Sequence, residues 1–267
     1  MLEHMMWAVI ADYLKTEIGY AIPPGKYYLL AANLGRLLGH GRRTPQDLLS
    51  DVQKDSRLRQ ELIDGATINE SHFFRDPSLW RCLSRQVLPR IRSHLDGECH
   101  ILICACSRGQ EVYSLRMLLA DHPDMRDLRC HITAVDVDST VLAQAEQGCY
   151  SELDVSRGLD PIKRRHYFQK TGSGSWQVVQ ELKRDSRFQC INLNQDFSFP
   201  RRFDLVFCRN VLIYFEPARK GRILDRLAQY TSPHGYLILG GAETTLGLSN
   251  QWTPCSLEDY TVYGRRL

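Results

Sequence analysis

Phe203-Asp204-Leu205-Val206-Phe207-Cys208-Arg209-Asn210-Val211-Leu212-Ile213-Tyr214-Phe215 is a strand-type apolar run that breaks off in Arg-Asn and resumes as an apolar-aromatic segment. In an open α/β sheet, ligands bind outside the carboxyl ends of the strands. Arg209, Asn210 and Tyr214 therefore fall where a site is built. Two strand ends upstream carry matching polar signals, and the fold is read outward from these three points.

The upstream strands are short continuous apolar runs, as expected of strands buried on both faces. Ile101-Leu102-Ile103-Cys104-Ala105 is the first and His131-Ile132-Thr133-Ala134-Val135 the second. Phe188 to Ile191, Leu205 to Cys208 and Tyr236 to Leu239 follow as the third to fifth. Val112 to Leu119 and Ser139 to Gln147 have helical spacing between them. Strand–helix alternation of this kind predicts an α/β fold with a mostly parallel, doubly wound sheet. Residues 151–187 break the alternation. They are polar, hold Thr171-Gly172-Ser173-Gly174-Ser175, and read as a small β insertion with a flexible turn.

Residues 6–75 read instead as helices. Trp7, Ile10, Tyr13, Leu14 and Ile18 make one apolar face up to Gly19, and Tyr27 to Leu38 is a second helix. Thr44-Pro45 has the form of an N-cap followed by proline, and Leu58, Leu62 and Ile63 mark the next helix. Asp76-Pro77 opens a longer one through Ile91. The expected organisation is a helical N-terminal domain over 6–75 and a second domain over 76–267.

At 43% hydrophobic and 24% charged residues, the composition is that of an ordinary globular protein. No apolar run reaches the ~20 residues that span a membrane, and the first residues lack the form of a secretory signal. Nine cysteines, most in apolar surroundings, read as reduced thiols of a cytoplasmic protein. Cys104-Ala105-Cys106 lacks the two-residue spacer of zinc sites, so no metal is expected. Residues 1–95 carry the whole net charge of +3, an excess too small to argue for nucleic acid.

The strand ends suggest a ligand. After the first strand, Ser107 and Gly109 let backbone approach a ligand at a helix N-terminus. Glu111 suits a cationic group there, as on S-adenosylmethionine, better than a pyrophosphate. Asp136, directly after the second strand, is placed for ribose hydroxyls, and Asp138 for capping the next helix. Asn192, after the third strand, has the donor and acceptor that an adenine edge needs. Upstream, Thr67-Ile68-Asn69-Glu70-Ser71-His72-Phe73-Phe74-Arg75-Asp76-Pro77 is unusually aromatic for a linker.

Thr67-Ile68-Asn69…Phe73-Phe74-Arg75, Ser107-Arg108-Gly109-Gln110-Glu111-Val112-Tyr113-Ser114, Val135-Asp136-Val137-Asp138, Asn192-Leu193 and Cys208-Arg209-Asn210-Val211-Leu212-Ile213-Tyr214-Phe215 together resemble the chemotaxis receptor methyltransferases of the CheR type. Order and spacing match from about residue 7 to residue 246. The resemblance implies a helical N-terminal domain, a Rossmann-like class I methyltransferase domain, and a small β insertion at 151–187. It implies S-adenosyl-L-methionine as cofactor and S-adenosyl-L-homocysteine as product, held at Asn69, Ser71, Arg75, Gly109, Glu111, Asp136, Asn192, Leu193, Arg209 and Asn210. Arg75 and Tyr214 are the catalytic candidates, holding the acceptor carboxylate or adjacent cofactor groups. Arg108, Gln110 and Val112 depart from the Ser-Thr-Gly-Glu-Glu-Pro that is frequent in the family, and Ser71 from its usual threonine; Gly109 and Glu111 are kept.

The implied reaction is methyl esterification of glutamates on the cytoplasmic helices of a methyl-accepting chemoreceptor, by a monomer that neither enters the membrane nor binds nucleic acid. Lys26, Arg36, Arg42 and Arg43, on or near the second helix, are the candidates for docking on that partner. Two alternatives stand beside this reading: a cofactor-binding signalling module without catalysis, and a methyltransferase for another acceptor. Against the latter, Arg-Asn-Val follows the fourth strand where an amino-group methyltransferase would carry Asn/Asp-Pro-Pro-Tyr.

Overall fold

The computed structural model describes residues 2–39 and 42–266. Four helices open the chain: α1 (Leu2–Glu17), α2 (Tyr27–Leu34), α3 (Pro45–Val52) and α4 (Ser56–Ala66). Thr44 caps α3 as its sequence predicts. Its hydroxyl accepts the Asp47 N–H at 3.2 Å while the Asp47 carboxylate accepts the Thr44 N–H at 3.0 Å. α2 is shorter than the expected Tyr27–Leu38, its regular bonding giving way to turns from Gly35 to Gly39. The inner faces meet in a core that includes Ile10, Leu14, Leu30, Leu34, Leu48, Val52 and Leu62.

The stretch after Asp76 is helical but not uniform. It runs as Pro77–Cys82, a π-helical turn over Leu83–Val87, and Leu88–Arg92. Pro89 explains the wide turn: it has no N–H for the Arg85 carbonyl, and its ring would press on that carbonyl in a regular helix.

Seven strands form the main sheet: β1 (Glu98–Cys104), β2 (Arg129–Asp136), β3 (Ser186–Cys190), β4 (Phe203–Cys208), β5 (Thr231–Leu239), β6 (Trp252–Leu257) and β7 (Tyr260–Arg265). Their order is β3-β2-β1-β4-β5-β7-β6. The first five run parallel, and β7 pairs antiparallel with both β5 and β6. Three helices lie in the crossovers or between strands: α5 (Gln110–Asp121), α6 (Ser139–Gln147) and α7 (Pro217–Gln229). The sequence reading found β1 to β5 and missed the last hairpin. Its turn is Glu258-Asp259, with Glu258 at φ 49°, and so lacks the glycine or asparagine that marks such turns. Strand order reverses between β1 and β4, whose last residues Cys104 and Cys208 are in register. That reversal opens the crevice in which an α/β sheet takes its ligand.

After α6, Cys149–Tyr150, Phe168–Lys170 and Trp176–Val178 form a separate antiparallel sheet. It begins two residues before the expected 151. Phe73 plugs into it, edge-on to Tyr150 at 4.9 Å and Phe168 at 5.5 Å between ring centroids. The Tyr150 hydroxyl donates to the Arg108 carbonyl at 2.6 Å, so this small sheet supports the loop after β1. Among the described residues no helix is long and apolar enough to cross a membrane.

Candidate active site

A cavity of about 260 Å³ sits at the carboxyl ends of β1, β2, β3 and β4, roofed by the end of α1 and the segment after α4. Asn69, Ser71, Arg75, Glu111, Asp136, Asn192, Leu193, Arg209, Asn210 and Tyr214 all line it. Five of the non-glycine residues in left-handed conformation cluster around it: Phe74, Asp76, Ala105, Ser107 and Asn210, with φ between 48° and 61°. Such conformations persist where the surroundings hold them, commonly at functional sites.

Gly109 is the expected site residue that the cavity does not include. Its φ is 83°, and a Cβ there would stand 2.9 Å from that of Ala145. Glycine is needed at this position to start α5 against α6.

Asp136 ends β2 and is buried. Its two oxygens accept the N–H groups of Ser107 (2.8 Å) and Asp138 (3.0 Å). Burial pushes its carboxyl above the ordinary 3.8; the two backbone donors oppose that shift, and neighbouring Asp138 adds to it. Asp138 caps α6 through Thr140 and Val141. Its other oxygen accepts from the Thr67 hydroxyl at 2.6 Å and the Asn69 amide at 2.7 Å. The amide of Asn69 is thus tied to the protein.

Asn192 is tied to the protein in the same way. Its amide N–H donates to the Glu17 carbonyl at 2.8 Å, and its oxygen accepts the Asn194 N–H at 2.9 Å. The side chain expected to read an adenine edge lines the cavity and also closes the C-terminus of α1, whose last carbonyls have no helical partner.

Arg209 is the electrostatic centre. Its side chain is 2% exposed, bonded to Asp76 at 2.5 Å and in contact with Glu111. Burial works against its charge, but Glu111 above all, with Tyr260 and Asp76, more than offsets this and holds the guanidinium well above its ordinary value. Glu111 Oε2 has no partner among the described residues and remains for a cation. Arg75 is different: the one hydrogen bond of its side chain is a long one, 3.4 Å to the Glu70 carbonyl, and it forms no ion pair among the described residues. Tyr214 stands edge-on to Tyr20 at 5.1 Å, and its carbonyl accepts the Ala21 N–H at 3.0 Å. Burial raises the Tyr214 hydroxyl pKa; Arg75 pulls it down.

A family model described as "CheR methyltransferase, SAM binding domain" matches residues 69–261. The chain belongs to the CheR methyltransferase family. It is 33% identical over 247 residues to a chemotaxis protein methyltransferase of Vibrio anguillarum, covering 90% of this chain and 89% of that one. It is equally 33% identical over 253 residues to chemotaxis protein methyltransferase 1 of Pseudomonas aeruginosa, with 91% and 92% coverage. The protein is a methyltransferase that uses S-adenosylmethionine.

Several residues at this CheR-family site escaped the sequence reading. Tyr20 and Trp80 line the cavity, as does His72, whose buried Nδ1 has no partner. Glu243 lies outside but builds the Arg209–Tyr214 turn. Its carboxylate accepts the N–H groups of Asn210 (2.7 Å), Gly240 (2.8 Å) and Ile213 (3.3 Å). Nothing near it in sequence marks it, since Asn210 and Ile213 become its neighbours only once β4 and β5 pair. Alanine at 243 leaves three backbone donors without their acceptor, at a cost of about 2 kcal/mol. Turnover is expected to fall on the order of tenfold to a hundredfold, because the displaced turn carries Tyr214. Steady-state kinetics beside a thermal melt check this; full activity in the folded variant contradicts it.

The basic candidates for partner docking flank α2 rather than lie within it. α2 itself contains no charged residue; Lys26 precedes it and Arg36 follows it. Arg43 is paired with Asp51 at 3.4 Å.

Proposed function

We propose that this methyltransferase esterifies glutamate side chains on the cytoplasmic helices of chemoreceptors, and so works in the cytoplasm to tune adaptation. The observation that carries this reading is Arg75, a guanidinium without a carboxylate partner on the cavity wall that also holds Tyr214. A glutamate carboxylate fits that vacancy with two parallel charge-assisted bonds.

The donor set suits the cofactor. Asp136 offers a buried carboxylate for ribose hydroxyls, Glu111 Oε2 for the ammonium, and Ile191 with Leu193 an apolar wall for the adenine. When bound, S-adenosylmethionine supplies a methyl group on a sulfonium, and transfer to a carboxylate oxygen moves no proton. The acceptor, at a pKa of ~4.3, is already ionised at neutral pH. The residues therefore need to align rather than to activate, an effect worth up to ~7–11 kcal/mol. Arg75 orients the carboxylate, and Tyr214 fixes its far side. Tyr214→Phe is expected to lower turnover more than cofactor affinity.

The decisive experiment offers the protein methyl-labelled cofactor and cytoplasmic fragments of receptors from the same cell. Alkali-labile label on glutamates is expected. Alkali-stable label, or label on nucleic acid, overturns the reading.

Asp136 sets the acid limit of cofactor binding. Ribose hydroxyls bond to its charged form, so affinity is present above its pKa in the free protein and is lost as pH falls through it. Because burial has raised that pKa, the loss begins above the ordinary 3.8. Calorimetric titration with S-adenosylhomocysteine across acid pH shows this, and Asp136→Asn weakens binding above that pKa and abolishes the acid-side loss.

A further inference from the structure

A second cavity of about 280 Å³ lies between α7 and residues 193–197. Leu193 lines both cavities. Phe215, on the wall of the first, stands two residues before α7 begins. The second groove therefore borders the active cavity at Leu193.

One wall carries Arg219, Arg222 and Arg226. Spacings of three and four put them on one face of α7, strung along about 10 Å at ~1.5 Å per residue. Arg226 lies over the Phe197 ring at 5.1 Å, donates Nε to the Phe197 carbonyl at 2.7 Å, and pairs with Asp196, itself 93% exposed. Arg219 donates to Asn194 Oδ1, a neutral acceptor. Arg222 is exposed and makes no hydrogen bond or ion pair among the described residues. Asp225, also on the groove, accepts from the Ser249 hydroxyl at 2.6 Å. Of the three guanidinium groups, only that of Arg226 is paired with a carboxylate among the described residues, and that of Arg222 is free.

We propose that this groove docks an acidic helix of the acceptor protein, carrying carboxylates at the same three- and four-residue spacing. The inference rests on the protein-acceptor reading above. A row of cations along a helix suits a row of carboxylates; a single phosphate would be met by groups gathered at one point. α2, without a charged residue, offers no comparable row. Charge pairing at such a rim sets encounter and register, and salt screens it.

Arg222→Glu tests the proposal, since its exposed side chain does not hold the fold. Methyl transfer to a receptor fragment is measured against fragment concentration, with S-adenosylhomocysteine affinity measured separately. The expected result is an acceptor KM raised about tenfold, with kcat and S-adenosylhomocysteine affinity unchanged, and with a weaker salt dependence than the unsubstituted protein. Arg222→Lys restores KM to within about twofold, as an exposed charge pair requires. Equal KM for Arg222→Glu and the unsubstituted protein overturns the groove alone. Failure of the unsubstituted protein to methylate any fragment, while it still binds S-adenosylhomocysteine, overturns the protein-acceptor reading and the groove with it.

Discussion

Arg209→Ala is expected to damage folding and activity together. The guanidinium is 2% exposed and answers two carboxylates, Asp76 and Glu111, whose side chains are 40% and 14% exposed. Removing it leaves two acids facing each other across a buried gap. Breaking a buried pair from one side costs about 3–5 kcal/mol, and the half-exposed Asp76 puts this case near about 3 kcal/mol by the same argument. The loss also unseats both partners: Asp76 is held in left-handed conformation at φ 61° where the helical stretch after it begins, and Glu111 opens α5. Cofactor affinity is expected to fall by at least about tenfold as Glu111 loses its orientation. Arg209→Lys restores a charge but not the fork that spans two acids, so it recovers only part of either property. Denaturant midpoints and calorimetric titration separate the two effects. A variant of undiminished stability would show that Asp76 and Glu111 find water instead.

Arg75→Ala should behave in the opposite way. Its side chain makes one 3.4 Å hydrogen bond and no ion pair, so stability should change by less than about 0.5 kcal/mol. Turnover should fall on the order of 10²- to 10³-fold, the usual effect of removing one aimed electrostatic group from a reacting centre. The acceptor KM rises and S-adenosylhomocysteine affinity stays within about threefold, since uniform binding of the cofactor is not what Arg75 supplies. Arg75→Lys recovers little, because a point charge does not match a carboxylate bidentately. If cofactor affinity drops in step with turnover, Arg75 belongs to the cofactor and not to the acceptor.

The contrast between these arginines was not legible in the sequence, where both follow an aromatic or apolar run. What was legible followed from period and punctuation. Apolar runs ending in Ser107, Asp136, Asn192 and Arg209 located β1 to β4 and their common edge, because strand ends and polar residues coincide there. The use of each side chain was not legible, because its partner lies far along the chain. Asn192 is occupied by Glu17 and Asn69 by Asp138. Asp76 reads as a helix cap, yet makes no capping bond and meets Arg209 instead. Glu243 has two backbone partners, Asn210 and Ile213, that only the packed sheet assembles. Gly109, a glycine beside a ligand loop, also serves the contact of two helices, which its sequence neighbours do not announce.

The seam between the first four helices and the sheet uses the same atoms that shape the cofactor cavity. Asn192 and Asn194 bond to the carbonyls of Glu17 and Thr16, Ala21 to that of Tyr214, and Asp138 to Thr67 and Asn69. The helical unit is accordingly not an interchangeable module. Grafting the corresponding helices of a relative onto residues 69–266 would transplant half of a binding site whose other half stays behind. A working chimera is expected to need residues 192–195 and the turn around Tyr214 along with the helices.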